Sequence, residues 1–471
     1  MEDDSRASTS AEPGDGALPR DSAPLPKPED PADGVATPAQ ALEPEAPTAA
    51  TPSDIAPART GPTRKPSRHG WRQTFSSLQN RDFLLLWLGM VAMMGGMQMQ
   101  MLARGYLVYQ ITEGSASRLG VVAAGTALPM LGFGLFGGAL ADRVDRRRLI
   151  QIAQAIAGLL GLAVGIAIAT KNIEWYYLFA ASMVQGTTFA FLVPARQAII
   201  PQLVGKSQLT NALALNAAGM SAVTLLAPAL AGGLYAWKGP AIVYFLFAGL
   251  GLVSVILTSL IRRPDVRAPA RKSPMFGDIL AGLRYVRNSR IVMLLLFMGL
   301  ATSMLATPFR FLMPVFVVDV YHRGPESMGL LVAIMGGGAL VGSLAIAALG
   351  NRKRGTLILA GSFASGIALV LLATLPLYYA AAAIMLPLGL ADAAQRTASQ
   401  SLIMEVTEDQ YRGRVMSVYM MNFGLMHLAV LPAGLLIDVL NGQAVIGMLA
   451  GALLLVTIVL TVTQPRLRSI D

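Results

Sequence analysis

Runs of about twenty or more apolar residues, each closed by a short polar turn, leave this chain few folds to choose from. They lie near residues 83–109, 118–141, 149–170, 175–194, 211–236, 240–261, 291–320, 327–349, 356–374, 377–400, 415–438 and 443–463. A hydrocarbon core about 30 Å thick is crossed by roughly 20 helical residues. Inside it every backbone N–H and C=O must be satisfied within the segment, so such runs fold as helices. Only 14% of the 471 residues are charged, against about 25% in soluble domains. The expectation is an all-α membrane protein of twelve transmembrane helices.

The turns between the runs orient it. GGALADRVDRRRLI at Gly137–Ile150 ends one run and begins the next within a few residues. Arginines at bilayer depth cost several kcal/mol each, so Arg143, Arg146, Arg147 and Arg148 mark a membrane face. Positive residues in short loops favour the cytoplasm. Every second connection repeats the bias: Lys206, then Arg262 to Arg290, then Arg352, Lys353 and Arg354, then Arg412 and Arg414, then Arg466 and Arg468. The intervening turns hold only Arg118, Lys171, Lys238, His322 and Arg323. Both termini are expected in the cytoplasm. The net charge of +10 is thereby spent on topology and does not point to nucleic acid.

Residues 1–70 are rich in Pro, Ala, Ser and Thr, without apolar periodicity, and carry no apolar core of the signal-peptide kind. This composition cannot offset its ordering entropy, so a disordered cytoplasmic tail is expected. There are no cysteines, and His69, His322 and His427 are widely spaced. No metal site, cofactor or catalytic centre is expected. LVGKSQ at Leu203–Gln208 has Ile200 where a phosphate-binding loop needs its first glycine.

The chain also repeats. GVVAAG at Gly120 matches GLLVAI at Gly329, Leu149 matches Leu357 after a basic turn, and Pro228-Ala229 matches Pro432-Ala433. The offsets stay between 204 and 209, as a duplicated six-helix unit would leave. The expected organisation is a bundle at 75–262, a basic central loop at 263–290, a second bundle at 291–465 and a short C-terminus at 466–471.

The pattern G-x-L-A-D-R-x-x-R-R from Gly138, PARQAIIPQLV at Pro194–Val204, LTNALALN at Leu209–Asn216, VFVVDVYHRG at Val315–Gly324 and QSLIMEVTEDQYRGRVMSVY at Gln400–Tyr419 together resemble the major facilitator superfamily. Within it they look most like the enterobactin-exporter-like branch of bacterial efflux carriers, over roughly residues 75–465. The second arginine turn, GNRKRG at Gly350–Gly355, lacks the Asp, and APALAGG at Ala227–Gly233 follows the antiporter pattern loosely. The resemblance implies two six-helix halves rocking about a central cavity. It also implies a cytoplasmic latch of Gly138, Asp142, Arg143, Arg146 and Arg147 against the helix start at Arg412 and Arg414. A carboxylate at a helix N-terminus is favourable by up to about 1–2 kcal/mol.

Ionisable groups at membrane depth are functional candidates. Arg104 lies in the first span and Arg310 in the seventh, 206 positions apart; by resemblance these spans face each other. Together the guanidiniums would suit a carboxylate, phosphate or phenolate; alternatively Arg104 snorkels to the interface and only Arg310 is buried. Gln98 and Gln100 accompany Arg104 among Met90, Met93, Met94, Met97, Met99 and Met101, either as an adaptable cavity floor or as ordinary helix packing. Asp392 is the carboxylate deepest in any span, with Arg396 four positions on. It is either a proton-coupling group or half of a plain ion pair.

These features describe a multi-pass carrier of the bacterial inner membrane, not an enzyme. It would act as a monomer whose partners are a small-molecule substrate, protons and lipid. The expected activity is proton-driven efflux of an amphipathic, anionic solute such as a siderophore-like metabolite or a drug. Import or exchange of an organic anion, and a non-transporting membrane sensor, are the alternatives.

Overall fold

The computed structural model describes residues 76–205, 208–262, 275–349 and 354–464. The expected tail at 1–70 and the GNRKRG turn lie outside the described residues, the turn apart from Arg354 and Gly355. The first half comprises α1 (Arg81–Ile111), α2 (Ala116–Arg143), α3 (Arg146–Ala169), α4 (Trp175–Leu203), α5 (Leu209–Lys238) and α6 (Pro240–Ser259). A short helix, α7 (Met275–Asn288), precedes α8 (Arg290–Ala306), α9 (Pro325–Leu349), α10 (Arg354–Thr374), α11 (Tyr378–Val406), α12 (Arg412–Leu428, resumed at Val430–Val439) and α13 (Gly442–Thr463).

Eleven of these segments are long and apolar enough to cross a membrane. The twelfth, α11, has 29 residues, more than enough to span, but Asp392, Gln395, Arg396 and Gln400 lower its hydropathy.

Local chemistry starts and stops the helices. The Asn80 side chain accepts hydrogen bonds from the Asp82 and Phe83 amides, satisfying donors that the first turn of α1 leaves open. Asp145 does the same for α3 by accepting from the Arg147 amide. Asp145, inside the arginine turn, is thus a capping residue. At the other face Gly239 takes φ +79°, and Pro240 follows at the first helical position. That face, here called distal because it lies away from the arginine turns, carries the wide aromatic side chains. Arg118 sits over the Trp175 ring at 4.4 Å and Lys238 over Trp237 at 4.9 Å, and Trp237 and Tyr379 are largely exposed. Such aromatic–cation belts suit a membrane–water boundary.

Within the first half α2 packs along α4, α3 along α6, and α1 against α5 and α6. In the second half α9 pairs with α11 and α10 with α11 and α13. The halves meet along two seams, α2 against α12 and α5 against α9. Both run backbone to backbone. A Cβ on Gly120 would meet the Leu431 Cα at 2.7 Å, and one on Gly232 would meet the Pro325 carbonyl oxygen at 2.5 Å. The Gly329 position would meet the Pro228 carbonyl oxygen at 2.5 Å. Small residues permit this closeness, and in membranes dispersion at such seams replaces the missing hydrophobic drive.

Three expectations need correction in detail. The central loop at 263–290 contains helix α7, whose Tyr285 and Val286 pack on the apolar cluster around Val292, Leu295 and Val415. Its basic residues masked an amphipathic pattern. The span at 291–320 is not one helix: α8 gives way to Pro308–Phe311, Met313–Val315 and a wide turn at Phe316–Val320. Pro308 and Pro314 each remove a helical donor. Finally, Arg143 closes α2 and Arg412 opens α12, so these arginines stand on helix ends and not in loops.

Candidate functional site

Arg104 enters the bilayer two turns before the distal end of α1 and is buried, with 6% of its surface exposed. A guanidinium cannot shed its charge there, so the fold must supply acceptors. Helix α4 supplies them one turn apart: Nη1 of Arg104 donates to Ser182 Oγ at 2.9 Å and to Gln185 Oε1 at 2.6 Å. Gln185 Nε2 in turn donates to Gln100 Oε1 at 3.0 Å, and Gln100 Nε2 reaches Tyr244 Oη of α6 at 3.5 Å. The network therefore ties α1, α4 and α6 together. All its acceptors are neutral, so the Arg104 charge is oriented but not cancelled.

In the second half the counterpart is arranged differently. Arg310 sits in the broken stretch after α8, half-buried, with no hydrogen bond or ion pair among the described residues. It lies within electrostatic reach of Asp392 and Arg396 of α11. Those two pair with each other, Arg396 Nε donating to Asp392 Oδ1 at 3.0 Å. Tyr419 of α12 faces the same pair. Arg310 is thus a cation near a carboxylate that another cation already holds.

The two sites meet. One cavity between the halves is lined by Gln98, Arg104 and Met101 from the first half and by Arg310, Phe311 and Met328 from the second. Its mixture of charge, amide and apolar surface suits an amphipathic ligand. Arg104 does not snorkel to the distal boundary; the α4 acceptors hold it in the bundle. Gln100 faces Gln185 and Tyr244 instead of the cavity. Of the six methionines in α1, Met101 lines the cavity, while Met90, Met93, Met94, Met97 and Met99 are core.

The side chains of Gly138, Asp142 and Arg143 lie outside the described ones. On their face Arg146 donates to the Ala198 carbonyl at 3.0 Å and Arg147 to the Thr258 carbonyl at 3.1 Å, tying α3 to α4 and α6. Arg412 pairs with Asp409 and donates to the Met404 carbonyl at 2.7 Å, and Arg414 lies over the Tyr411 ring at 5.6 Å. These contacts fix each half internally.

Sequence reasoning passed over Ser182, Gln185, Tyr244 and Tyr419. The repeat contained the signal: Ser182 precedes Asp392, and Gln185 precedes Gln395, by 210 positions in each case. Helices α4 and α11 are thereby related by an offset close to the 206 positions that separate Arg104 from Arg310. It also passed over Arg196, in the PARQA stretch, which is half-buried with no hydrogen bond or ion pair among the described residues.

The chain is 26% identical over 346 residues to macrolide efflux protein A of Streptococcus pyogenes, covering 71% of this chain and 83% of that one. It is 26% identical over 284 residues to the enterobactin exporter EntS of Salmonella typhi, covering 60% and 67%. The multidrug efflux pump Tap of Mycobacterium bovis shares 26% over 304 residues, covering 62% and 72%. Among solved structures, the nucleoside transporter NupG superposes with a TM-score of 0.63 at 13% identity, over 81% of this chain and 98% of that one. A bacterial homologue of the human lysosomal transporter Spinster gives 0.62 at 14%, over 84% and 97%. The family model described as Major Facilitator Superfamily matches residues 86–431, and the chain belongs to that superfamily.

Proposed function

We propose that this multi-pass membrane protein is a secondary active transporter that exports an amphipathic, anionic small molecule by rocking alternating access. The observation that carries the reading is the cavity shared by Arg104 and Arg310, one guanidinium from each half. Arg104 is oriented by neutral groups and Arg310 has no partner among the described residues, so both can serve an anion through planar hydrogen bonds. Phe311, Met101 and Met328 offer the apolar remainder of a ligand a surface. The efflux activity named for the relatives favours export over import. A siderophore-like metabolite and a drug both fit this chemistry.

Asp392 is the proposed proton-coupling group. While ionised it holds Arg396; a proton on Asp392 breaks that pair, and in proton-driven export the protonated carrier returns empty, so that proton and anion occupy it in alternate half-cycles. The same proposal has the carrier act as a monomer in the bacterial inner membrane, and the arginine distribution supports cytoplasmic termini.

Counterflow in proteoliposomes tests the proposal, with a panel of anionic and cationic solutes, with and without a pH gradient. Anion exchange accelerated by the gradient is expected. Transport of cations alone would defeat the arginine site, and transport indifferent to the gradient would remove Asp392 from coupling.

A further inference from the structure

The distal ends of the two halves are joined by two carboxylates that the cavity does not use. Asp438, at the C-terminal end of α12, is exposed but reaches across to the start of α2. Its Oδ1 accepts from the Ala116 amide at 2.7 Å, and its Oδ2 accepts from the Ser117 amide at 3.0 Å and from Ser115 Oγ at 3.2 Å. The acid therefore caps a helix of the opposite half, satisfying amides that an α-helix leaves open and meeting the positive end of its dipole. Nearby, the buried Tyr109 of α1 donates its hydroxyl to Asp319, in the wide turn that ends the broken stretch holding Arg310. Both contacts border one polar recess, together with Thr112, Asn441 and Gln443. Each joins the first half to the second, and none of the groups involved lines the central cavity.

We infer that Asp438 and Asp319 form a latch on the distal face, holding the carrier closed there. This inference rests on the alternating-access reading. Opening the distal face must part the α2 and α12 ends and the α1 and Phe316–Val320 ends, and both partings break a hydrogen bond to a charged acceptor. The arrangement also has an internal logic. Helices α2 and α12 are antiparallel, so the C-terminal end of each lies against the N-terminal end of the other. An acid at the end of α12 caps α2 on one face, and Asp142 at the end of α2 is the acid expected to meet the start of α12 on the other. A single helix pair would then hold opposite closed states with the same type of contact.

The test uses the full-length protein, whose lack of cysteine lets spin labels be placed only where cysteines are introduced. One pair at Asn172→Cys and Leu377→Cys reports the distal gap, and one at Leu260→Cys and Met404→Cys reports the opposite face. Distances are measured by pulsed electron resonance in nanodiscs. Asp438→Ala and Tyr109→Phe are each expected to raise the ratio of distally open to distally closed molecules about five- to tenfold, as loss of a charge-assisted contact should. Asp438→Asn, which keeps an acceptor without the charge, should fall between wild type and Ala. If wild type interconverts between two distances but neither Asp438→Ala nor Tyr109→Phe moves the populations in folded protein, the latch is refuted. If neither label pair changes distance in any sample, the rocking reading fails and the latch with it.

Discussion

Arg104 and Arg310 occupy related places in the repeat, yet their surroundings differ in charge, and that difference sets the expectations at the residue scale. Arg310 has no protein partner among the described residues, so Arg310→Gln should raise the KM for an anionic solute at least about tenfold, with Arg310→Lys intermediate because it keeps charge but not the planar fork. Counterflow against increasing external solute measures this. Gln185→Leu should act differently. It removes one of the two acceptors that orient Arg104 and leaves Gln100 Oε1 without its donor, so stability should fall by about 1–3 kcal/mol, read as a lowered melting temperature in detergent. Asp392→Asn should leave counterflow intact while abolishing acceleration by a pH gradient. The charged residues were readable in the sequence because charge within an apolar run stands out. Ser182 and Gln185 were not, because a serine or glutamine in a helix is ordinary until its neighbour across the bundle is known.

Helices and their seams separate two kinds of glycine. Gly338 and Gly389 lie between α9 and α11 inside one half, where an added Cβ would run into the Leu386 and Met335 carbonyl oxygens far inside van der Waals contact. Gly389→Ala should therefore destabilise the fold by about 1–3 kcal/mol or more. Gly232 and Gly329 lie between the halves, where the clash can be relieved by opening. Gly232→Ala should leave the melting temperature near wild type while moving the distal label pair apart, because only the closed state excludes the methyl group. Element positions were well marked in the sequence, since twenty-residue apolar runs admit one structure in lipid. The breaks near Thr307 and Ala429 were less so, although Pro308, Pro314 and Pro432 were visible. A proline shows that a helix is weakened, but whether it kinks or splits depends on what packs beside it.

The whole molecule divides into halves whose relation came almost entirely from the sequence, through the constant repeat offset and the alternating arginine turns. What the sequence withheld was which face is joined, because the Asp438 contact links residues 322 apart and matches no local motif. Removal of residues 1–70 should leave transport within about twofold of wild type in proteoliposomes, whereas a sensor dependent on that tail would lose its output. Asp142→Asn should slow net transport without altering insertion, as judged by folded yield. The glycine seams carry a last consequence. Where backbones touch at Gly120, Gly232 and Gly329 there is no gap for a file of water molecules, each of which needs about 30 Å³ and polar partners. A closed seam is then also an insulator, so that many copies can stand in one membrane without short-circuiting the ion gradients across it.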